Sequence, residues 1–352
     1  MKITKLAMAA VAASPLLFTS QVNASQYKLV LVHGLQTGHI YNAPSASKVS
    51  SDGEAYWSSY WNQVADDRID WSSAERVEGK IATDFVWPKL KQYAETGFCE
   101  PGCIFVTHST GDLVTRHILE NQANWLENAG LQPLNIVATF DIAGAGGGSE
   151  LADLAVNVAQ ATEAWTFAIE AALEAWLGDD LSEGLGVMHD LKVNNARQID
   201  ANPEVNVPRL RFVGDASDYF GLTSGFLRGN DDGVVSSHSS CGASRSGYFG
   251  SCSKLIDFDG EIDDQSDGIS GFVSYHYPVL MSDAYSHGTL IDGDHQGKVT
   301  AVNETQRFTD GNQMSFGTNT QIYGWWFWKS TYRYVNDSQR KSMSELIYNA
   351  AP

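Results

Sequence analysis

Long apolar runs and basic side chains are both scarce in this sequence of 352 residues. Beyond the first two dozen residues, no stretch approaches the roughly twenty consecutive apolar residues that a membrane-spanning helix needs, so we expect no integral membrane segment. Lys and Arg number 23 against 42 Asp and Glu, which gives a net charge of −19. Because this charge repels a phosphate backbone, nucleic acid is an unsuitable partner.

The shortage of basic residues is greatest between residues 117 and 191, which contain no Lys or Arg. This acidity indicates either a solvated surface or an acidic cap segment that repels anionic products. Part of the segment also has apolar residues at helical spacing, which predicts one amphipathic helix. It either covers the core or belongs to a helical cap within residues 150–200. The apolar positions are Trp165, Ala168, Ile169, Ala172, Leu173, Trp176 and Leu177.

Cysteine is also rare, and the four residues present suit an oxidising compartment. Three pairings are open, and we expect Cys99 with Cys103 and Cys241 with Cys252, because these close short irregular loops. A zinc site is the alternative, although no histidine lies at ligand spacing from either pair.

The N-terminus has the pattern of a signal peptide. Residues 1–24 contain two lysines, then a mostly apolar run, then small residues, which predicts cleavage after Ala24 and a secreted or periplasmic protein. Residues 25–352 would then form a single large domain.

Residues 104–112 carry the most informative motif, Ile-Phe-Val-Thr-His-Ser-Thr-Gly-Asp. An apolar strand runs into a tight turn and then a helix, which is the pattern of a nucleophile elbow presenting Ser109. Upstream, the apolar strand 27–32 ends in His33-Gly34-Leu35, where glycine allows a turn. The backbone N–H groups of Leu35 and Thr110 would then form an oxyanion hole.

These motifs, together with the strand 135–142, its glycine-rich turn 144–149 and the segment 230–235, resemble the α/β-hydrolase family, and within it the secreted bacterial lipases and esterases. The resemblance implies an α/β fold with a mostly parallel central sheet, helices on both faces and an inserted helical cap. Two residues depart from the usual pattern of the family. Thr107 replaces the usual glycine of the elbow, and the 144–149 turn lacks the usual Pro and His.

The resemblance implies a triad in the chain order Ser, Asp, His. In Asn-Asp-Asp-Gly-Val, residues 230–234, Asp232 directly precedes the glycine and is the preferred acid. Asp231, Asp215 and Asp218 are alternatives, the last two because they follow the strand 210–213.

Four histidines follow Asp232 in the sequence. His238 is too near in sequence to have crossed to the next strand. If residues 289–291 form the last core strand, the following loop delivers His295, which we take as the base. His287 and then His276 are the alternatives. His287 ranks below His295 because it would precede that strand, on the wrong edge of the sheet. His108, beside the nucleophile, is expected to be structural.

Two further segments each allow two interpretations. Residues 257–268 are rich enough in oxygen ligands to bind a structural Ca²⁺, or they form an exposed acidic loop. The aromatic residues within 323–328 form a platform for an insoluble substrate, or they complete a core.

The sequence therefore predicts a secreted carboxylic-ester hydrolase, a lipase or esterase, with Ser109, His295 and Asp232 as its triad. It would act through an acyl-enzyme, without a cofactor or metal, on a neutral ester in solution or at a lipid or polymer surface. A polyester depolymerase is the alternative enzyme, suggested by the long irregular stretch 233–288. A secreted binding protein that keeps the fold without catalysis is the alternative of another class.

Overall fold

A central seven-stranded sheet organises the chain in the computed structural model, which describes residues 26–164, 166–178, 184–200, 202–262 and 267–352. The strand order is β2-β1-β3-β4-β5-β6-β7, and every neighbouring pair is parallel except β6 with β7. The sheet strands are β1 Lys28–Val32, β2 Asp67–Ile69, β3 Cys103–His108, β4 Ile136–Ile142, β5 Arg209–Gly214, β6 His276–Ser282 and β7 Thr300–Ala301.

Helices cover both faces of this sheet, which is why β3, β4 and β5 are buried along their whole lengths. On one face, a helical segment over Val77–Val86 packs with α3, α4, α5 and α6, and on the other lie α2 and α10. The helices are α1 Ala46–Tyr56, α2 Ser59–Val64, α3 Trp87–Thr96, α4 Gly111–Asn128, α5 Glu150–Ala159, α6 Phe167–Leu177, α7 Met188–Leu191, α8 Val193–Ala196, α9 Ser237–Ser240 and α10 Met343–Ala350. The mostly parallel α/β architecture predicted from the sequence is confirmed.

The remaining strands form two antiparallel pairs outside the sheet. β8 Thr305–Arg307 pairs with β9 Gln313–Ser315. β10 Thr318–Trp325 pairs with β11 Trp328–Val335 in a long hairpin. Because the carboxyl ends of parallel strands meet at one edge of a sheet, the loops that leave β1, β3 and β6 converge there, and they position the candidate site.

Helix α6 confirms the amphipathic pattern read between residues 165 and 177. Ile169, Ala172, Leu173, Trp176 and Leu177 are buried, whereas Ala168 is exposed and Trp165 lies outside the described residues. Within the described ranges, no helix is both long enough and apolar enough to cross a membrane.

A buried group of charges lies beneath the elbow, between the sheet and α4. The guanidinium groups of Arg209 and Arg211 donate to the carboxylates of Asp112 and Asp141 at 2.6 to 3.4 Å, and all four side chains are at most 3% exposed. Burial alone would raise the pKa of Asp112, but the two arginines outweigh it and hold that pKa well below its usual range. The four charges therefore compensate one another inside the core.

Both disulfides have the expected pairing, Cys99 with Cys103 and Cys241 with Cys252. The first closes the turn before β3, and the second closes part of the irregular stretch between β5 and β6. The expected signal peptide, residues 1–24, and part of the oxygen-rich loop, residues 263–266, lie outside the described residues.

Candidate active site

The turn that carries Ser109 has the geometry of a nucleophile elbow. Ser109 lies between the end of β3 and the start of α4, and its φ of 54° is a backbone conformation that non-glycine residues rarely adopt. Its N–H donates to the Ile142 carbonyl at 3.1 Å, and its carbonyl accepts from Ala145 N–H at 2.9 Å. The unusual conformation is thus held from both sides by the strand β4 and the turn that follows it.

Two glycines allow neighbouring chain segments to reach this turn. A Cβ atom on Gly111 would lie 2.2 Å from the Val32 carbonyl oxygen, so α4 can pass β1 only without a side chain there. A Cβ atom on Gly34 would lie 2.6 Å from the Ser109 Cβ. The loop after β1 therefore touches the elbow directly.

A neutral histidine fixes the loop after β1. His33 Nε2 accepts from the Trp71 N–H at 3.0 Å, so its Nδ1 carries the proton and donates to the Gly34 carbonyl at 2.8 Å. Burial lowers the pKa of His33 to about 4. Because the carbonyl and the N–H of a trans peptide point in opposite directions, the Leu35 N–H is turned away from the His33 ring.

Asp232 and His287 form a buried pair. Asp232 is fully buried, and its Oδ1 accepts from the N–H groups of Val234 and Val235 at 3.0 and 2.7 Å. Its Oδ2 lies 2.9 Å from Nδ1 of the His287 ring. The backbone N–H of His287 also donates to the backbone carbonyl of Asp232 at 2.8 Å. Since Nδ1 faces the carboxylate, Nε2 is the ring nitrogen of His287 that is left to exchange a proton with another group.

His295 does not lie beside Asp232. Its Nε2 donates to the Ala284 carbonyl at 2.8 Å, and its ring packs edge-on against Tyr285. The expectation that residues 289–291 form the last core strand is wrong, because Thr289–Ile291 is a single helical turn. The last parallel strand is β6, so the loop from its carboxyl end places His287, not His295, at the site edge.

The other predicted acids have other contacts. Asp215 accepts from Asn230 Nδ2 and from the Asp231 N–H, and burial raises its pKa to about 7. Asp231 accepts from Ser224 Oγ at 2.9 Å. Asp218 accepts from the Gly288 N–H at 3.1 Å and so contacts the loop that holds His287. His276, the third histidine considered, is buried beside the arginine group and its Nδ1 donates to the Ser274 carbonyl.

His108 links three parts of the site, a role that the sequence did not reveal. The Tyr56 hydroxyl donates to His108 Nδ1 at 2.5 Å, so Nε2 carries the proton and donates to the His287 carbonyl at 2.9 Å. A Cβ atom on Gly34 would lie 2.3 Å from the Tyr56 hydroxyl oxygen, so the loop after β1 packs against this hydroxyl. Burial, with a smaller effect from His287, holds the pKa of His108 well below its usual range. A neutral ring next to Ser109 therefore connects the loop after β1 with the His287 loop.

These residues meet in a cleft of about 510 Å³. Ser109, His287, Leu35 and Thr110 all line it, whereas His295 does not. Most of the remaining wall is apolar or aromatic, and the carboxylates that line it belong to Asp218 and Asp292. The apolar and aromatic side chains are Ala55, Tyr56, Trp57, Ala145, Trp176, Leu191, Tyr219, Val234, Val235 and Ile291.

Among the described residues, no group of three or more His, Cys, Asp or Glu side chains is placed to hold a metal ion. In the acidic loop, the described residues include Asp257, Asp259, Glu261 and Asp267, and Asp259 Oδ1 accepts from the Glu261 N–H. Asp263 and Asp264 lie outside the described residues.

The strand order, the positive φ of Ser109 and the Asp-His pair on the loops beyond the sheet define an α/β-hydrolase fold. The solved structures that resemble the chain include bacterial lipases and esterases. A Bacillus licheniformis lipase, BlEst2 in its mature form, matches 76% of this chain and 87% of its own at 16% identity and a TM-score of 0.43. The Staphylococcus hyicus lipase matches 80% and 91% at 14% identity and a TM-score of 0.43. EstA from Clostridium botulinum matches 81% and 87% at 12% identity and a TM-score of 0.40.

In sequence, no protein-family model and no curated protein matches the chain.

Proposed function

We propose that the chain is an exported carboxylic-ester hydrolase whose triad is Ser109, His287 and Asp232. The observation that carries the proposal is the cleft itself, which is lined both by a serine with φ of 54° and by the histidine of a buried Asp-His pair. A protein that kept the fold only for binding would have no need of a serine in this conformation, which costs on the order of 1 to 3 kcal/mol.

In the first half of the reaction, Ser109 Oγ attacks the ester carbonyl while Nε2 of His287 accepts its proton. Asp232 keeps the other ring nitrogen protonated and stabilises the imidazolium that forms. The two backbone N–H groups that donate to its Oδ1 hold this carboxylate in place beside the ring.

Negative charge then develops on the substrate carbonyl oxygen. The N–H groups of Leu35 and Thr110 are the proposed donors, since both residues line the cleft and Gly34 brings the first against the elbow. The imidazolium of His287 gives its proton to the leaving alcohol. A water molecule, activated by the same ring, then releases the acid and regenerates the serine.

The lining favours a neutral ester with apolar groups. No Lys or Arg is among the described residues that line the cleft, whereas the carboxylates of Asp218 and Asp292 are. Trp176 of α6 lines the cleft as well, which supports the proposal that residues 150–200 form a cap over it. Export is supported by the N-terminal sequence pattern and by the two disulfides.

The decisive experiment combines labelling by a fluorophosphonate with turnover of p-nitrophenyl esters. We expect the wild type to be labelled, and Ser109→Ala to lose labelling and on the order of a million-fold in turnover while remaining folded. Ser237→Ala is the matched control, because Ser237 is buried in the core outside the cleft. Activity in folded Ser109→Ala would refute the mechanism, and a wild type that neither labels nor turns over would favour a binding protein. Triglyceride and polyester substrates in the same assay separate a lipase from a polyester depolymerase.

A further inference from the structure

The hairpin β10–β11 ends in four consecutive aromatic residues that face solvent. Trp325, Trp326, Phe327 and Trp328 are between 72% and 88% exposed. Ile322 and Tyr323, further from the turn, are 64% and 49% exposed. We call residues 322–328 the aromatic tip. Single exposed apolar residues are common on proteins, but a continuous group of this size marks an interaction surface.

Among the described residues, the backbone hydrogen bonds that tie the hairpin to the rest of the chain lie level with Ile322 or farther from the turn. The Thr331 carbonyl accepts from the Ile262 N–H at 2.7 Å, and the Arg333 N–H donates to the Gly260 carbonyl at 2.9 Å. Towards the turn, the two strands pair with each other up to Trp325 opposite Trp328. This pairing satisfies the backbone groups that face the partner strand, and at a membrane–water interface the outward-facing groups of the two strands can keep their hydrogen bonds to water.

Apolar side chains lie on both faces of the hairpin. Trp325 and Trp328 are cross-strand partners and share one face with Tyr323, whereas Ile322 lies on the opposite face. Trp326 and Phe327 project at the turn itself, their rings 5.8 Å apart and edge to face. A flat protein partner would cover one face only. A fluid apolar phase surrounds an inserted tip on all sides.

The charge of the hairpin points to the kind of surface. Residues 319–331 contain no Asp or Glu in a chain of net charge −19, and Lys329 is their sole basic residue. Insertion therefore buries no carboxylate, and the flexible side chain of Lys329 can reach back to the water. Trp and Tyr are the residues that accumulate at membrane–water interfaces. The strongly negative remainder of the chain disfavours an anionic surface.

We infer that the aromatic tip inserts into the interface between water and a zwitterionic lipid layer and holds the protein on it. Binding of this kind requires no turnover, so it stands independently of the proposed ester hydrolysis.

The test uses the full secreted chain and flotation with phosphatidylcholine vesicles. Trp326→Ser combined with Phe327→Ser should lower the vesicle partition coefficient at least about tenfold, because two large aromatic side chains lose their burial in lipid. Tyr248→Ser combined with Leu255→Ser is the control, since these residues are 72% and 65% exposed outside the hairpin. The control should bind as the wild type does.

Two further measurements sharpen the result. Phosphatidylcholine with brominated acyl chains should quench the tryptophan fluorescence of the wild type and not that of the tip variant. Phosphatidylglycerol vesicles should bind less protein at low salt than phosphatidylcholine vesicles do, and added salt should reduce the difference. Turnover of a soluble ester and the melting temperature should be unchanged in the tip variant, since the exchanged side chains pack against no core.

Failure of the wild type to float, equal flotation of the wild type and the tip variant, or equal loss in the control would overturn the inference. So would a wild-type dimer in sedimentation velocity that disappears in the tip variant without any vesicle binding, because the tip would then serve a second copy of the chain. A wild type that floats but hydrolyses no ester would refute the proposed enzyme and leave the lipid-binding tip intact.

Discussion

His287 and His295, which both follow strand β6, provide the sharpest test of the proposed triad. His287→Ala removes the ring that pairs with Asp232, and His295→Ala removes a ring eight positions later that contacts Ala284 and Tyr285. Both variants delete an imidazole of the same size. We expect His287→Ala to abolish turnover and His295→Ala to retain it.

The magnitudes follow from what each ring contacts. Loss of the base in a serine hydrolase costs on the order of a million-fold in kcat, which corresponds to about 8 kcal/mol of transition-state stabilisation. His295→Ala loses one hydrogen bond to a carbonyl and one edge-to-face ring contact, each worth about 1 kcal/mol of folding stability. That variant should therefore unfold at lower denaturant concentration, while its kcat/KM stays within about twofold of the wild type.

The assay is turnover of a p-nitrophenyl ester together with the rate of fluorophosphonate labelling, and urea unfolding establishes that each variant is folded. Loss of both activities in folded His295→Ala, with His287→Ala active, would refute the assignment of His287. Partial and equal losses would mean that neither ring is the base. Because labelling needs only an activated serine, it separates a catalytic defect from a defect in ester binding.

Two further predictions concern groups next to the triad. Tyr56→Phe should lower kcat about tenfold with little change in KM, because buried His108 loses the donor to its Nδ1 and no longer holds the His287 carbonyl firmly. Tyr60→Phe, outside the cleft, is the control. An unchanged kcat in Tyr56→Phe would contradict the positioning role of His108. Asp112→Asn should reduce the free energy of unfolding at pH 7 by about 3 to 5 kcal/mol, because it leaves buried guanidinium charge uncompensated. The folded pKa of Asp112 is depressed, so its stabilisation is present above the unfolded pKa and is lost as the pH falls through the folded pKa. Below about pH 4, urea unfolding should therefore show a smaller difference in the free energy of unfolding between the wild type and Asp112→Asn. An undiminished difference would refute this account.

The sequence predicted those parts of the site that are encoded locally. An apolar strand, a serine and a glycine within nine residues specify the elbow, because the close passage of α4 over β1 requires Gly111. The disulfides Cys99–Cys103 and Cys241–Cys252 were predictable for a similar reason, because each of them closes a short loop. Helix α6 was visible because its buried positions recur with the helical period.

The proposed base could not be predicted in the same way, because its identity depends on which segment ends the parallel sheet. β6 contains Pro278, which lacks an N–H and makes its segment unlike a central strand, and the strand register shifts beside it. The sequence therefore predicts the last strand at residues 289–291, although Leu290 and Ile291 pack as a helical turn among the residues that cover one sheet face. Only the three-dimensional pairing of β6 with β5 identifies the loop of His287.

The contacts of His108 were invisible for a further reason, because its partners lie 52 and 179 residues away in the chain. Their effect is on backbone positions. Ser109 is held by the Ile142 carbonyl and the Ala145 N–H, and the backbone of His287 is held by the Asp232 carbonyl and by His108. The conformation of Ser109 and the placement of the His287 loop are thus set by the protein's own contacts. If catalysis depends on such preorganisation, changes to these supporting contacts should reduce kcat more than they change KM, because the reacting groups remain present but are less well aligned.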